Sequence, residues 1–360
     1  MRKKVVIIFI LLYVTGFAEI IMGPYLQAVK TDSICVLVEC NSNDAVIVEY
    51  GVNGSYDNFV STEDVSTTTL TTYVHRVKLS GLKPNTLYNY RALQGKSKSL
   101  GYNFRTAVNE GTSFRFAWMA DCRTGTDIHD IISMRIKKEK PYFSLYGGDL
   151  CSGGSYESFK NEFFRKNELE LIAEVPFFNT VGNHEGNTKN TIAFTQSPLS
   201  ASSSNRYYSF DYGDLHVLVL NTEMPFYPDS PQYKFAEKNL AATRKIWKVV
   251  TSHVPVYCCG DYGDNKRLIY MANNVFEPNK VDIVISGHSH FYQHNLVNGI
   301  HYMIIGSAGA PLAEPKDDCS YVIKSLRDYN YAIVDVSPTN FHMVVYNAEG
   351  SIIDTIDLKK

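Results

Sequence analysis

Five short polar motifs, each directly behind an apolar run, constrain what this chain can fold into more than any other feature. They are Asp121-Cys122-Arg123, Gly148-Asp149-Leu150, Gly182-Asn183-His184-Glu185, Val250-Thr251-Ser252-His253 and Gly287-His288-Ser289-His290. The runs at 114–120, 142–146, 247–252 and 281–286 read as buried strands. In open α/β sheets, binding groups collect at the carboxyl ends of strands. The five motifs therefore predict one pocket lined by Asp, Asn and His.

That residue set suits a pair of metal ions. Two cations about 3.5–4 Å apart can clamp the attacking and leaving oxygens of an in-line displacement. They repel each other, so a carboxylate between them is valuable, and Asp149 fits. Imidazoles suit Zn, Fe and similar ions, while Asn183 adds a neutral amide oxygen. Water held by such ions loses a proton near neutral pH and becomes a nucleophile. Taken singly, each motif is more often a polar turn, a helix cap or a pair of exposed histidines. Only their order and their shared position behind strands carry the reading.

The first residues are of another kind. Arg2, Lys3 and Lys4 precede an apolar run over 5–14, then Gly16 and Ala18. This reads as an export leader over 1–18, since a membrane span needs about 20 apolar residues. An uncleaved anchor is the alternative. No later stretch is long enough to span a bilayer, so the expected location is periplasmic, extracellular or the cell surface. Without those three cations, the 35 Lys and Arg fall to 32 against 37 Asp and Glu. The result is mildly acidic with no basic arm, which argues against a nucleic-acid partner. All seven cysteines lie beyond the leader. An odd number leaves at least one thiol or an intermolecular bond, and the spacing shows no disulfide framework. Cys35 and Cys40 sit on opposite faces of one strand. Cys258 and Cys259 read either as a strained vicinal bridge or as a free pair.

Along the chain, 20–107 reads as all-β, with strands over 34–39, 45–50 and 73–79 between turn signals. Gly81-Leu82-Lys83-Pro84-Asn85-Thr86-Leu87-Tyr88 resembles the corner of a fibronectin type III sandwich, in which a tyrosine hydroxyl closes on upstream backbone; Tyr88 is the candidate. Beyond a linker at 107–111, strands and helices alternate. Ile128, Ile131, Ile132 and Ile136 predict a helix, as does 232–243, and strands at 331–336, 341–346 and 351–356 close the chain.

With these motifs, the chain resembles the calcineurin-like metallophosphoesterases, and within them the purple acid phosphatases. Gly23-Pro24-Tyr25-Leu26-Gln27, Tyr208–Asn221 and Ser307–Leu312 resemble further segments of that group. The resemblance implies three parts: leader 1–18, a fibronectin type III-like domain 19–108 and a metallophosphoesterase domain 109–360. The fold it implies is an all-β sandwich followed by two central mixed sheets flanked by helices. It implies two metal ions (Fe, Mn or Zn), with Asp121 and His290 on the first, Asp149 bridging, and Asn183, His253 and His288 on the second. His184 would hold phosphate or protonate the leaving oxygen. The activity implied is hydrolysis of a small phosphate ester, a monoester first and a diester or nucleotide second; a surface-binding protein with a vestigial centre is a third reading.

Two positions depart from the group. Purple enzymes carry a metal-binding tyrosine three residues after the bridging Asp, where this chain has Ser152. Other branches carry a histidine two residues after the first Asp, where this chain has Arg123. Arg123 reads equally as a bidentate phosphate clamp or as a structural ion pair. Cys122 and Cys151 read as small apolar fillers before soft ligands, and His216 as a core residue. Tyr292 and His294 are candidates for the pocket wall. His75, His129, His301 and His342 have no functional context.

Overall fold

The computed structural model describes residues 18–197 and 206–360. Residues 1–17 of the expected leader lie outside the described residues. The rest forms an N-terminal β-rich part and a C-terminal part of two mixed sheets flanked by helices.

One sheet of seven strands runs in the order Tyr208–Tyr212, Leu215–Val219, Trp247–Ser252, Ile283–Ser286, Ile300–Ile305, Tyr292–Val297 and Val322–Leu326. A second sheet of ten strands contains Phe114–Met119, Phe143–Tyr146 and Phe177–Asn179, mutually parallel. The closing strands Asn330–Val336, Asn340–Asn347 and Ile352–Lys359 extend it antiparallel on one side. On the other side it continues into the N-terminal part: Ile20–Gln27 pairs parallel with Phe177–Asn179, at Gln27 opposite Phe177. Ser33–Cys40, Tyr73–Ser80 and Asp64–Thr67 follow. A smaller sheet built on Ile47–Gly51 and Leu87–Gln94 faces these N-terminal strands.

The two-residue period of a strand explains the layering. Phe114, Phe116 and Trp118 point to the core between the two large sheets, against Phe210, Tyr212, Val217 and Ile285. Ala117 and Met119 point the other way, to the helices. Cys35 and Cys40 likewise enter different clusters, as expected. The Tyr88 hydroxyl accepts from the Lys83 N–H at 2.9 Å, the local closure its corner predicts.

Helix Thr126–Glu139 lies one residue round from the expected stripe. Ile131 is 37% exposed, and the buried residues are His129, Ile132, Ser133 and Ile136. The reason is a polar seam that an apolar count overlooks. Ser133 Oγ donates to the buried carboxylate of Glu168 at 2.8 Å, the Tyr146 hydroxyl donates to its other oxygen, and His129 Nε2 lies 3.3 Å away.

The cysteines also differ from expectation. Cys259 is bonded to Cys319 across 60 residues, and Cys258 is free and buried. Neither a vicinal bridge nor a free pair forms. An irregular segment returns alongside Cys259, where the Lys316 N–H donates to the Cys259 carbonyl at 2.8 Å and Gln293 Nε2 donates to both carbonyls. That approach is tertiary, so no local spacing encodes it.

Candidate metal centre

The strands ending at Met119, Tyr146, Asn179, Ser252 and Ser286 all deliver their following loops to one end of the two sheets. The loops then turn sharply. Asp121, Asp149 and His288 have φ of +56°, +52° and +69°, a region non-glycine residues seldom occupy. Neighbouring backbone holds them there: the Asp121 N–H donates to the Gly148 carbonyl and the Cys122 N–H to the Asp149 carbonyl. Such conformations cluster where a site must be held in a fixed geometry. Close approach also dictates two glycines. A Cβ on Gly182 would lie 2.1 Å from the Asp149 nitrogen, and one on Gly287 would lie 2.4 Å from Asp121 Oδ2.

Four of the expected donors meet around one point. His253 Nε2 lies 3.0 Å from Asn183 Oδ1, 3.2 Å from His288 Nδ1 and 3.3 Å from Asp149 Oδ1. The other His253 nitrogen donates to the Gly147 carbonyl at 2.7 Å. A neutral ring so anchored turns its lone pair on Nε2 toward the centre, the usual outer support of a metal-binding histidine. A second group, Asp121, Asp149 and His290, brings its ligand atoms within 4.8 Å of one another. His290 repeats the arrangement, with Nδ1 donating to the Pro311 carbonyl at 2.8 Å and Nε2 3.4 Å from Asp121 Oδ1. Asp149 belongs to both groups, as its expected bridging place requires.

The electrostatics favour positive charge at this point. Burial opposes protonation of His253, but the carboxylates of Asp149, Asp121 and Glu185 outweigh it and raise the ring's affinity for a proton. Burial, then His253, holds His288 down to about 4, so its ring is a neutral donor. Burial also opposes ionisation of Asp149, but His253 and the His184 N–H outweigh it and keep the carboxylate charged. Asp121 Oδ1 is buried with no hydrogen-bond partner among the described residues. Acceptors converging on acceptors, beside an unsatisfied carboxylate oxygen, fit bound cations.

The remaining residues separate clearly. His184 is a third exposed on the open side, with Nδ1 tied to the Ser152 carbonyl at 3.2 Å and Nε2 3.8 Å from Asp149 Oδ2. Arg123 lies against the donors themselves: Nε lies 3.3 Å from Asp149 Oδ2, while Nη2 lies 3.4 Å from His290 Nε2. Ser152 turns both its N–H and its hydroxyl to Glu162, which also accepts from the Thr124 N–H. Cys122 and Cys151 are buried, burial pushes both thiols up, and neither joins a metal-ligand group among the described residues. His216 is buried and pairs with Asp211 and Asn239.

Tyr292 and His294 do not line the centre. Both bond Asp354 on strand Ile352–Lys359, and His294 also meets His301, along the seam between the sheets. Their strand leaves the last motif before they can reach the site. Glu185 had no assigned role. It is buried, accepts from the Gly182 N–H at 2.7 Å, and is pushed up to about 8 by burial and then by Asp149. It thereby fixes the turn that presents Asn183. Its adjacency to Asn183 and His184 is the only signal the sequence offered.

These sheets bring together a paired donor set of the kind that two metal ions could occupy. Residues 115–292 match the calcineurin-like phosphoesterase family, and residues 25–106 match the purple acid phosphatase N-terminal domain. The chain thus carries a calcineurin-like phosphoesterase domain behind a purple acid phosphatase N-terminal domain, and the relatives it matches are purple acid phosphatases. It is 30% identical over 276 residues to purple acid phosphatase 21 of Arabidopsis thaliana, covering 70% of this chain and 61% of that protein. It is 24% identical over 265 residues to Fe(3+)-Zn(2+) purple acid phosphatase 12 of the same plant, covering 67% and 56%. The chain thus spans about three-fifths of the length of these relatives. In fold it is similar to purple acid phosphatase PPD1 from yellow lupin (Lupinus luteus) seeds, with a TM-score of 0.80 and 21% identity, covering 93% of this chain and 74% of that one.

Proposed function

We propose that this protein is an exported hydrolase of small phosphate monoesters, working with two metal ions drawn from Fe, Mn and Zn. The observation that carries the proposal is the placement of Asp149, whose carboxylate lies in both donor groups. Asn183, His253 and His288 would hold one ion with it, and Asp121 and His290 the other. Bound there, the two ions would supply the charge that activates water for attack on phosphorus. His184, on the open side with Nε2 turned toward Asp149, would steady the phosphoryl group or hand a proton to the departing oxygen. Arg123 would turn its remaining N–H groups to phosphate oxygens.

Export through a leader at 1–18 is supported by the Cys259–Cys319 bond, because disulfides persist in oxidising compartments. The proposed division is a fibronectin type III-like unit over 19–108 and a catalytic unit over 109–360. Among the described residues, no helix is long and apolar enough to cross a membrane.

The test pairs metal analysis with hydrolysis of p-nitrophenyl phosphate and of its bis-ester. The proposal expects two ions per chain and faster cleavage of the monoester. Asp149→Ala should lose both ions and nearly all turnover. Faster cleavage of the bis-ester would move the assignment to a diesterase, and a chain that binds no metal would end it.

A further inference from the structure

Residues 258–264 follow the His253 motif without helix or strand, yet they are fastened at several points. The Cys258 N–H donates to Asp264 Oδ1 at 3.0 Å, and the Tyr321 hydroxyl donates to the same oxygen at 2.6 Å. Cys259 is bonded to Cys319. Cys258 Sγ rests 3.3 Å from the hydroxyl of Ser289, the residue between His288 and His290. Gly260 sits so close to the Phe291 ring that a Cβ would come within 2.7 Å of it.

From this fastened loop rises Tyr262. Its side chain is 66% exposed, yet its ring centroid stands 4.3 Å from that of His288, at 37°. A large ring left in water gains little by burial. A ring left there on a braced loop, against the imidazole of an expected metal ligand, is a surface held ready for a partner.

We propose that Tyr262 is a specificity-determining residue that receives the leaving group of the substrate and favours planar aromatic alcohols. The inference rests on the phosphate-ester reading of the centre. A phosphoryl group beside His288 leaves its ester substituent pointing outward, and the Tyr262 ring borders that exit. Aromatic rings gain from offset or tilted contact beyond the area they cover. Asp261 directly precedes Tyr262 in the chain and Asp264 lies two residues beyond it, so a leaving group bearing further negative charge is disfavoured. The ligand class is therefore an aryl phosphate monoester with an uncharged ring.

Non-hydrolysable phosphonates separate this inference from the reading beneath it. Phenylphosphonate and methylphosphonate are titrated calorimetrically into metal-loaded wild-type protein, Tyr262→Phe and Tyr262→Ala, with metal content measured for each. Wild-type protein should bind both ligands. Tyr262→Ala should weaken phenylphosphonate about threefold to tenfold, while methylphosphonate changes less than twofold and metal content is unchanged. Tyr262→Phe, which keeps the ring, should bind both ligands as wild type does. Equal weakening of the two ligands, or loss of metal in Tyr262→Ala, would make the ring a mere prop for His288 and overturn the proposal. If wild-type protein binds both phosphonates and Tyr262→Ala binds them equally well, the platform alone fails. If it binds neither, the phosphate-ester reading fails and takes the platform with it.

Discussion

Replacing Cys259 and Cys319 together by serine tests how much of this protein rests on one covalent tie. The bond joins residues 60 apart in sequence. In the chain-entropy account, closing a loop of that size removes about 14 cal/mol/K from the unfolded ensemble, or about 4 kcal/mol at 25 °C. Native disulfides return about 2–5 kcal/mol when removed from small domains, so the expected cost is about 2–4 kcal/mol. The double replacement is needed because Cys259→Ser alone would leave Cys319 free beside other thiols. Guanidinium unfolding without reductant should show a lower midpoint for the variant. Reductant should carry wild-type protein toward the variant's curve and leave the variant where it was. Coincident midpoints for the two proteins without reductant would refute the reasoning, since the tie would then constrain nothing the folded contacts do not already hold.

Gly182→Ala should cost about 1–3 kcal/mol by overpacking and should shed metal, read by elemental analysis, because the new Cβ would fall 2.1 Å from the Asp149 nitrogen. His184→Ala should keep its metal while turnover of p-nitrophenyl phosphate falls about 10²–10⁴-fold; metal loss there would place His184 among the ligands. Asp354 gives the acid limb of stability. Burial works against its ionisation, but hydrogen bonds from His294 and Tyr292 outweigh it and lower its pKa from 3.8 to about 2. A lowered folded pKa stabilises above the unfolded value, and that stability is lost as pH falls from 3.8 toward 2. Asp354→Asn should therefore melt lower at pH 6, and the gap to wild type should close by pH 2.

Much of this structure could be read from the chain, for a physical reason. The expected metal ligands follow buried strands closely, and buried strands are apolar runs. The strand over 247–252 agrees at both ends, and the expected helix over 232–243 forms at Pro231–Ala242. What could not be read depends on contacts between distant segments. Tyr292 and His294 sit two and four residues beyond His290, yet strand direction carries them to Asp354. The Cys259–Cys319 bond depends on where an irregular segment comes to rest. The helix face at His129 and Ser133 is polar because Glu168 meets it from another helix. Tyr262 gave no sign of its position, since nothing in a Gly- and Asp-rich turn announces which ring it will touch.

The pairing of Ile20–Gln27 with Phe177–Asn179 has a mechanical consequence. The two parts of this protein are spliced edge to edge, and the splice lies on the strand that leads into Asn183 and His184. Tyr90 reinforces it by donating to the Ala173 carbonyl at 2.7 Å, as Arg76 does by donating to the Ile192 and Ala193 carbonyls. Cutting away the N-terminal part would bare an unpaired strand edge of the kind that invites self-association. It would also slacken the turn that aims Asn183. The N-terminal part supplies none of the six proposed metal donors, yet it acts as a frame that keeps one of them in register.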